Sequence, residues 1–201
     1  MKDPTEFWSW FRHSERRLRD IEVPEKEALL DDLLEHLHAF SERLWFEVGG
    51  PEHARELIIS AEGRLEAFHE VRRLVGAAPE MPGWAIIAFK PAQGFAFVTE
   101  YAGLRFSPEA TWFLPLASKS EPDAFGLRVA YAHYDKALDN EFVAGTFLML
   151  DAGLGELAAA ERIRHLEVGL LPSQPEQAGY IVLTELPDYL AFLDRRAMRD
   201  P

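Results

Sequence analysis

The stretch from Ala54 to Lys90, ARELIISAEGRLEAFHEVRRLVGAAPEMPGWAIIAFK, constrains the fold more than any other part of the chain. The apolar run Leu57-Ile58-Ile59 ends at Glu62-Gly63, where a tight turn can lead into an amphipathic helix. Pro79, Pro82 and Gly83 stop that helix before a second apolar run, Trp84 to Phe89. A helix between two strands makes them parallel, joined by a right-handed crossover. The segments on either side do not continue the alternation, so this unit stands alone and the chain is not a repeating α/β array.

Upstream, Pro4 is placed for the first turn of a helix running to about Ile21, with Phe7, Trp10, Phe11, Ser14, Leu18 and Ile21 on one face and Trp8 off it. Val23-Pro24 breaks that helix and starts a second, from Pro24 to about Ser41, whose stripe is Leu30, Leu33, Leu37 and Phe40, widened by Leu29 and Leu34. The pair forms a hairpin. Arg43 to Val48 alternates as a strand, and Gly49-Gly50-Pro51 turns it to run antiparallel to the strand at Leu57.

Downstream, short alternating runs broken by Gly, Pro and Ser read as an antiparallel meander: Phe95 to Tyr101, Leu104 to Ser107, Thr111 to Leu116 and Phe125 to Tyr134. Ala102-Gly103 makes one turn, and Ser118 to Asp123 a polar loop. Phe95, Phe97 and Tyr101 share a face, as do Phe125, Leu127, Val129 and Tyr131; these large faces are expected under helices. The small faces would then form a shallow surface holding Glu100 and Arg128. Leu138 to Leu150 is apolar all round and is read as a buried helix by its length, with a strand over Thr146 to Leu150 as the alternative. A helix at Glu156–Arg162, strands at Leu166–Leu171 and Tyr180–Leu183, and a C-terminal helix through Leu186, Tyr189, Leu190 and Leu193 complete the chain, with a frayed tail from Arg195. No internal repeat is visible.

The expected fold is therefore α+β, with a mixed, mainly antiparallel sheet, one β-α-β crossover, an N-terminal helix hairpin, and helices packed largely on one face. A single domain over 1–201 is expected, with the hairpin at about 4–41, the sheet core at about 43–134 and a helix/strand region at about 137–196. The length suits one well-cored domain.

A formal charge of −13 argues against non-specific nucleic-acid binding and against docking on anionic lipid, both of which rely on lysine and arginine. The chain has no cysteine, so disulfides, thiolate metal sites and cysteine nucleophiles are excluded. With no signal-like or membrane-spanning apolar run, the expected location is cytoplasmic.

Motifs for chemistry are sparse. Gly153-Leu154-Gly155-Glu156-Leu157-Ala158 has the G-x-G-x-x-A spacing that lets a backbone approach a pyrophosphate. No acidic residue ends the next strand to hold a ribose, so a break between two helices is the preferred reading and no cofactor is expected. Glu35/His38 and Glu66/His69 have ligand spacing on helices, but the strand-rich middle leaves no room for a four-helix metal site. No metal site is expected. There is no G-x-S-x-G elbow and no P-loop. His133-Tyr134-Asp135 could form half of an acid/base pair.

The carboxyl ends of the parallel strands are the favoured place for a ligand in such a sheet. Here they bring Ser60, Glu62 and Lys90 to one edge. Ligand binding thus points to Ser60, Lys90 and Arg128, and catalysis to Glu62, Glu100, His133 and Asp135.

Phe7-Trp8-x-Trp10-Phe11, Leu57-x-Ile59-Ser60-Ala61-Glu62-Gly63, Pro82-Gly83-Trp84, Phe89-Lys90-Pro91 and Leu186-Pro187-Asp188-Tyr189 together resemble a family of small bacterial proteins of unknown function. The resemblance spans nearly the whole chain and implies no activity and no catalytic residues. The 5 lysines against 16 arginines fit a GC-rich genome. The leading functional expectation is a non-catalytic binding protein for a protein or small-molecule ligand. A small hydrolase or transferase using the acidic and basic residues above is the alternative, and a homodimer burying surplus apolar surface is the third.

Overall fold

A computed structural model describes residues 2–20, 25–117 and 125–198. The chain adopts the expected α+β class. It divides into two compact units, Met1–Lys90 and Pro91–Pro201. The boundary falls at the end of the strand–helix–strand stretch.

The first unit opens with α1 (Pro4–Arg19) and α2 (Lys26–Phe40). Asp3 caps α1 by accepting from the Thr5 amide, and Pro4 occupies its first position. Phe7, Phe11, Ser14 and Leu18 are buried as the spacing predicts. Trp8 is buried too, because its indole N–H donates to the Leu74 carbonyl at 2.8 Å, while half-buried Trp10 stacks on His36 instead. The buried stripe of α2 is Leu29, Leu33, Leu37 and Phe40; Leu30 and Leu34 are its half-buried margins. Ile21, Val23 and Pro24 lie outside the described residues.

Strands β1 (Trp45–Gly49), β2 (Arg55–Ser60) and β3 (Trp84–Ala88) form a sheet in that order. β1 and β2 are antiparallel; β2 and β3 are parallel, joined through α3 (Phe68–Gly76). Register places Phe46, Ile59 and Ala88 in line, so Phe46, Val48, Leu57, Ile59, Trp84 and Ile86 share one face. This is the helix side: Leu57 and Ile59 are fully buried, and the Trp84 ring meets Phe11 edge-on at 5.0 Å. Trp45, Glu47, Ile58, Ser60, Ala85 and Ile87 share the other.

In the second unit, β4 (Thr99–Tyr101) and β5 (Leu104–Phe106) form a hairpin. β6 (Trp112–Ala117), β7 (Phe125–Tyr131), β8 (Ile163–Leu170) and β9 (Ile181–Val182) form a sheet ordered β8-β7-β6-β9. The strands of 43–134 therefore do not make one sheet. They separate into three: the ladder of β3 ends at Ala88, and among the described residues the β4–β5 hairpin pairs only with itself. Only Thr99–Tyr101 of the expected strand from Phe95 is extended into a ladder: the Gln93 and Gly94 amides donate to the Ala152 and Gly153 carbonyls and divert that backbone. The polar loop Ser118 to Asp123 lies outside the described residues.

Leu138 to Leu150 belongs to a helix, α4 (Asp139–Leu154), followed by α5 (Glu156–Arg162). The strand alternative at Thr146–Leu150 is excluded. Gly155, at φ 81°, is the break between them, so the G-x-G-x-x-A run ends one helix and starts another. α4 and α5 carry the chain from β7 to β8, which are parallel, giving a second crossover where one was expected. The two units thus use one topology, an antiparallel hairpin whose second strand gains a parallel neighbour through helix. Nothing in the residue pattern announces that repetition. Phe113, Leu127, Val129 and Tyr131 pack with Phe142, Met149 and Leu150 of α4 and with Leu186 and Leu190 of α6 (Leu186–Ala197), which continues beyond Arg195, where a frayed tail was expected.

Two aromatic rings sit in glycine notches of α4. A Cβ on Gly145 would lie 2.1 Å from the Phe106 ring, and one on Gly153 2.2 Å from the Phe95 ring. No helix among the described residues is by itself long and apolar enough to cross a membrane.

Candidate functional site

The parallel register of β2 and β3 ends both strands at one edge, and there the expected group assembles. Lys90 Nζ lies 2.7 Å from Glu62 Oε1 and 3.5 Å from Glu47 Oε1. Since β2 lies between β1 and β3, the lysine stem must cross β2 to reach Glu47. Ile58 and Ser60, on the face opposite Leu57 and Ile59, are buried, and the Lys90 side chain is only 21% exposed.

Two residues here hold left-handed backbone, Glu62 at φ 53° and Phe89 at φ 68°. Such a conformation is rare for a bulky side chain and requires support from its surroundings. Phe89 has that support: its amide donates to the Ile59 carbonyl at 2.8 Å, its buried ring lies 4.6 Å from Phe68, and the Arg72 guanidinium sits 5.3 Å above it. At Glu62 the backbone amide donates to Ser60 Oγ at 2.9 Å. Ser60 is fully buried and committed to that turn, which gives it a structural role and no access to a substrate.

The remaining expected residues do not join this group. Glu100 pairs with Arg105 in the β4–β5 register. Arg128 bonds Glu167 of β8 at 2.7 Å, and Glu100 and Arg128 belong to different sheets. His165 also contacts Glu167, and hydrogen bonds from His165 and Arg128 hold that carboxyl below the usual carboxylate range. His133 is exposed, with its ring 5.4 Å from Phe142. Asp135 accepts from the Ala137 amide as a helical-turn cap, so its carboxylate is occupied by the backbone and is not paired with His133. Among the described residues no three His, Asp or Glu side chains converge as metal ligands. His38 instead meets the Leu44 carbonyl, and His69 lies 3.8 Å from Glu70.

A second cluster escaped sequence reasoning. Lys2, Phe40, Ser41, Glu42, Arg43, Glu70 and Arg73 line a depression of about 330 Å³ in the first unit. Its side chains come from a terminus, the end of α2 and α3, so no sequence spacing betrays it. Only the Glu70/Arg73 pair, one turn apart on α3, has local periodicity. Glu70 accepts from both Ser41 Oγ and Arg43. Burial opposes its ionisation, but those two hydrogen bonds and the Arg43 charge outweigh it and hold the carboxyl below the usual range. A depressed carboxyl stabilises the fold above the unfolded pKa, about 4.3 for Glu, and that contribution disappears as pH falls through the folded value. Glu70→Gln is therefore expected to flatten the fall in stability below about pH 4.3, measured by urea denaturation across pH. An acid limb unchanged by the substitution would remove Glu70 from the linkage.

Chemically, the Glu47–Lys90–Glu62 group sets one ammonium between two carboxylates, an arrangement that can hold and orient a polar ligand. Compared with known proteins, the chain matches no family model, no curated sequence and no solved structure.

Proposed function

We propose that this is a non-catalytic, cytoplasmic binding protein whose recognition surface is the edge of the β1-β2-β3 sheet where Lys90 lies between Glu47 and Glu62. The observation carrying this reading is the coincidence of two left-handed, non-glycine residues at the edge where these charges meet. Backbone strain of this kind persists where the surroundings over-determine it, and it concentrates at ligand sites. Trp45, 42% exposed and directly opposite Ser60 in register, supplies an apolar anchor beside the charges.

The reading separates stability from binding. Glu62→Gly relieves a left-handed backbone worth roughly 1–2 kcal/mol and loses a half-exposed ion pair worth roughly 0–1 kcal/mol. Stability is expected to stay level or rise slightly. A thermal-shift screen of metabolites and peptides should yield hits on the native chain that vanish in both Glu62→Gly and Trp45→Ala. Hits that persist in both variants would place binding elsewhere. Turnover of a hit compound, lost in Lys90→Met, would favour the enzyme alternative.

A further inference from the structure

We propose that the depression lined by Lys2, Arg43 and Arg73 is an oxyanion-binding site, taking a terminal carboxylate or phosphate group. This is separate from the Lys90 surface and does not depend on it. Three cations face the depression against two carboxylates, Glu42 and Glu70, in a chain whose overall charge is −13. The local balance is thus one positive charge, three minus two. Both oxygens of Glu70 are taken up by Ser41 and Arg43. Asp3, which also feels the Arg73 charge, accepts from the Thr5 amide.

The two guanidinium groups are held in place before any ligand arrives. Arg43 is fixed by Glu70. Arg73 lies 4.7 Å over the Phe40 ring and donates through one terminal nitrogen to the Lys2 carbonyl, while its Nε has no partner. The Lys2 ammonium makes no ion pair among the described residues. Rigid, planar donors converging from separate elements match the geometry of a carboxylate or phosphate. Preorganisation removes ordering costs that flexible surface arginines would bear. The open, polar shape suits the end group of a larger molecule.

The test titrates the full chain at constant ionic strength with inorganic phosphate and, separately, with acetate, following arginine Nε–Hε resonances by NMR. Saturable shifts at Arg43 and Arg73 are expected, with affinity weakened roughly tenfold or more in Arg73→Gln, as loss of a charged hydrogen bond predicts. Lys2→Gln, a change at the exposed terminus that leaves the helices intact, should weaken binding as well and guards against misfolding of the Arg73 variant. Saturation with both anions supports a general oxyanion site, and saturation with one identifies its source chemistry. Linear shifts with both, or affinities unchanged in both variants, would overturn the proposal. Neither outcome bears on the Lys90 surface, whose readout is Glu62→Gly.

Discussion

Phe106→Ala is expected to lower stability by about 3–5 kcal/mol, the range for truncating a fully buried aromatic ring. Phe106 is completely buried and meets Tyr131 at 5.6 Å and Phe142 at 5.9 Å, both edge-on, so the substitution removes apolar burial and two aromatic contacts together. Its ring also fills the notch at Gly145, and α4 cannot collapse into the vacated space without moving Phe142 and Met149. Urea denaturation followed by circular dichroism provides the measurement. A loss below about 1 kcal/mol would mean that the β4–β5 hairpin does not pack on α4 in solution, because so small a change is typical of surface substitutions.

Gly145→Ala carries the second large effect, and its sign is the informative part. In an exposed helix this change adds up to about 1 kcal/mol of stability. Here the new methyl would lie 2.1–2.7 Å from three atoms of the Phe106 ring, so the ring must leave its seat. Overpacking of this kind costs about 1–3 kcal/mol, with the helical gain subtracted from it. The two substitutions are coupled. In the Phe106→Ala background, Gly145→Ala should become neutral or stabilising, and a double-mutant cycle would report a strong favourable interaction. Additive effects would show that the ring and the glycine are not in contact.

These two positions also mark what the residue pattern could and could not convey. β1, α1 and α2 were legible by their periods, and β2 and β3 as apolar runs bounded by turn residues; the parallel register then brings Glu62 and Lys90 together by geometry alone. α4 has no such period: its apolar residues surround the helix, so its buried face is chosen by which side offers the glycine notches. Phe95 to Val98 alternates like a strand, yet the α4 carbonyls of Ala152 and Gly153 capture the backbone just before it. Tertiary hydrogen bonding overrides local preference there. Glu100 and Arg128 were paired on an assumed continuous sheet, and the division into separate sheets parts them. The arginine depression was invisible for a similar reason. Its members are brought together only by the packing of α2 and α3 with the N-terminal residues.

The shared topology of the two units has a consequence for the order in which the chain is made. Among the described residues no strand pairing crosses from Lys90 to Pro91, and every pairing of the first sheet is complete once Ala88 has been synthesised. The second sheet remains open until Ile181 and Val182 arrive to join β6, a partner some seventy residues earlier, Trp112 pairing with Val182. Translation from the N-terminus therefore delivers a closed three-stranded sheet while most of the later strands are still unmade. Its pairings close over short stretches of chain, the situation in which ordering is fastest. The slow step of maturation then belongs to the C-terminal half, and the unpaired edge of β6 is the backbone exposed longest to wrong partners.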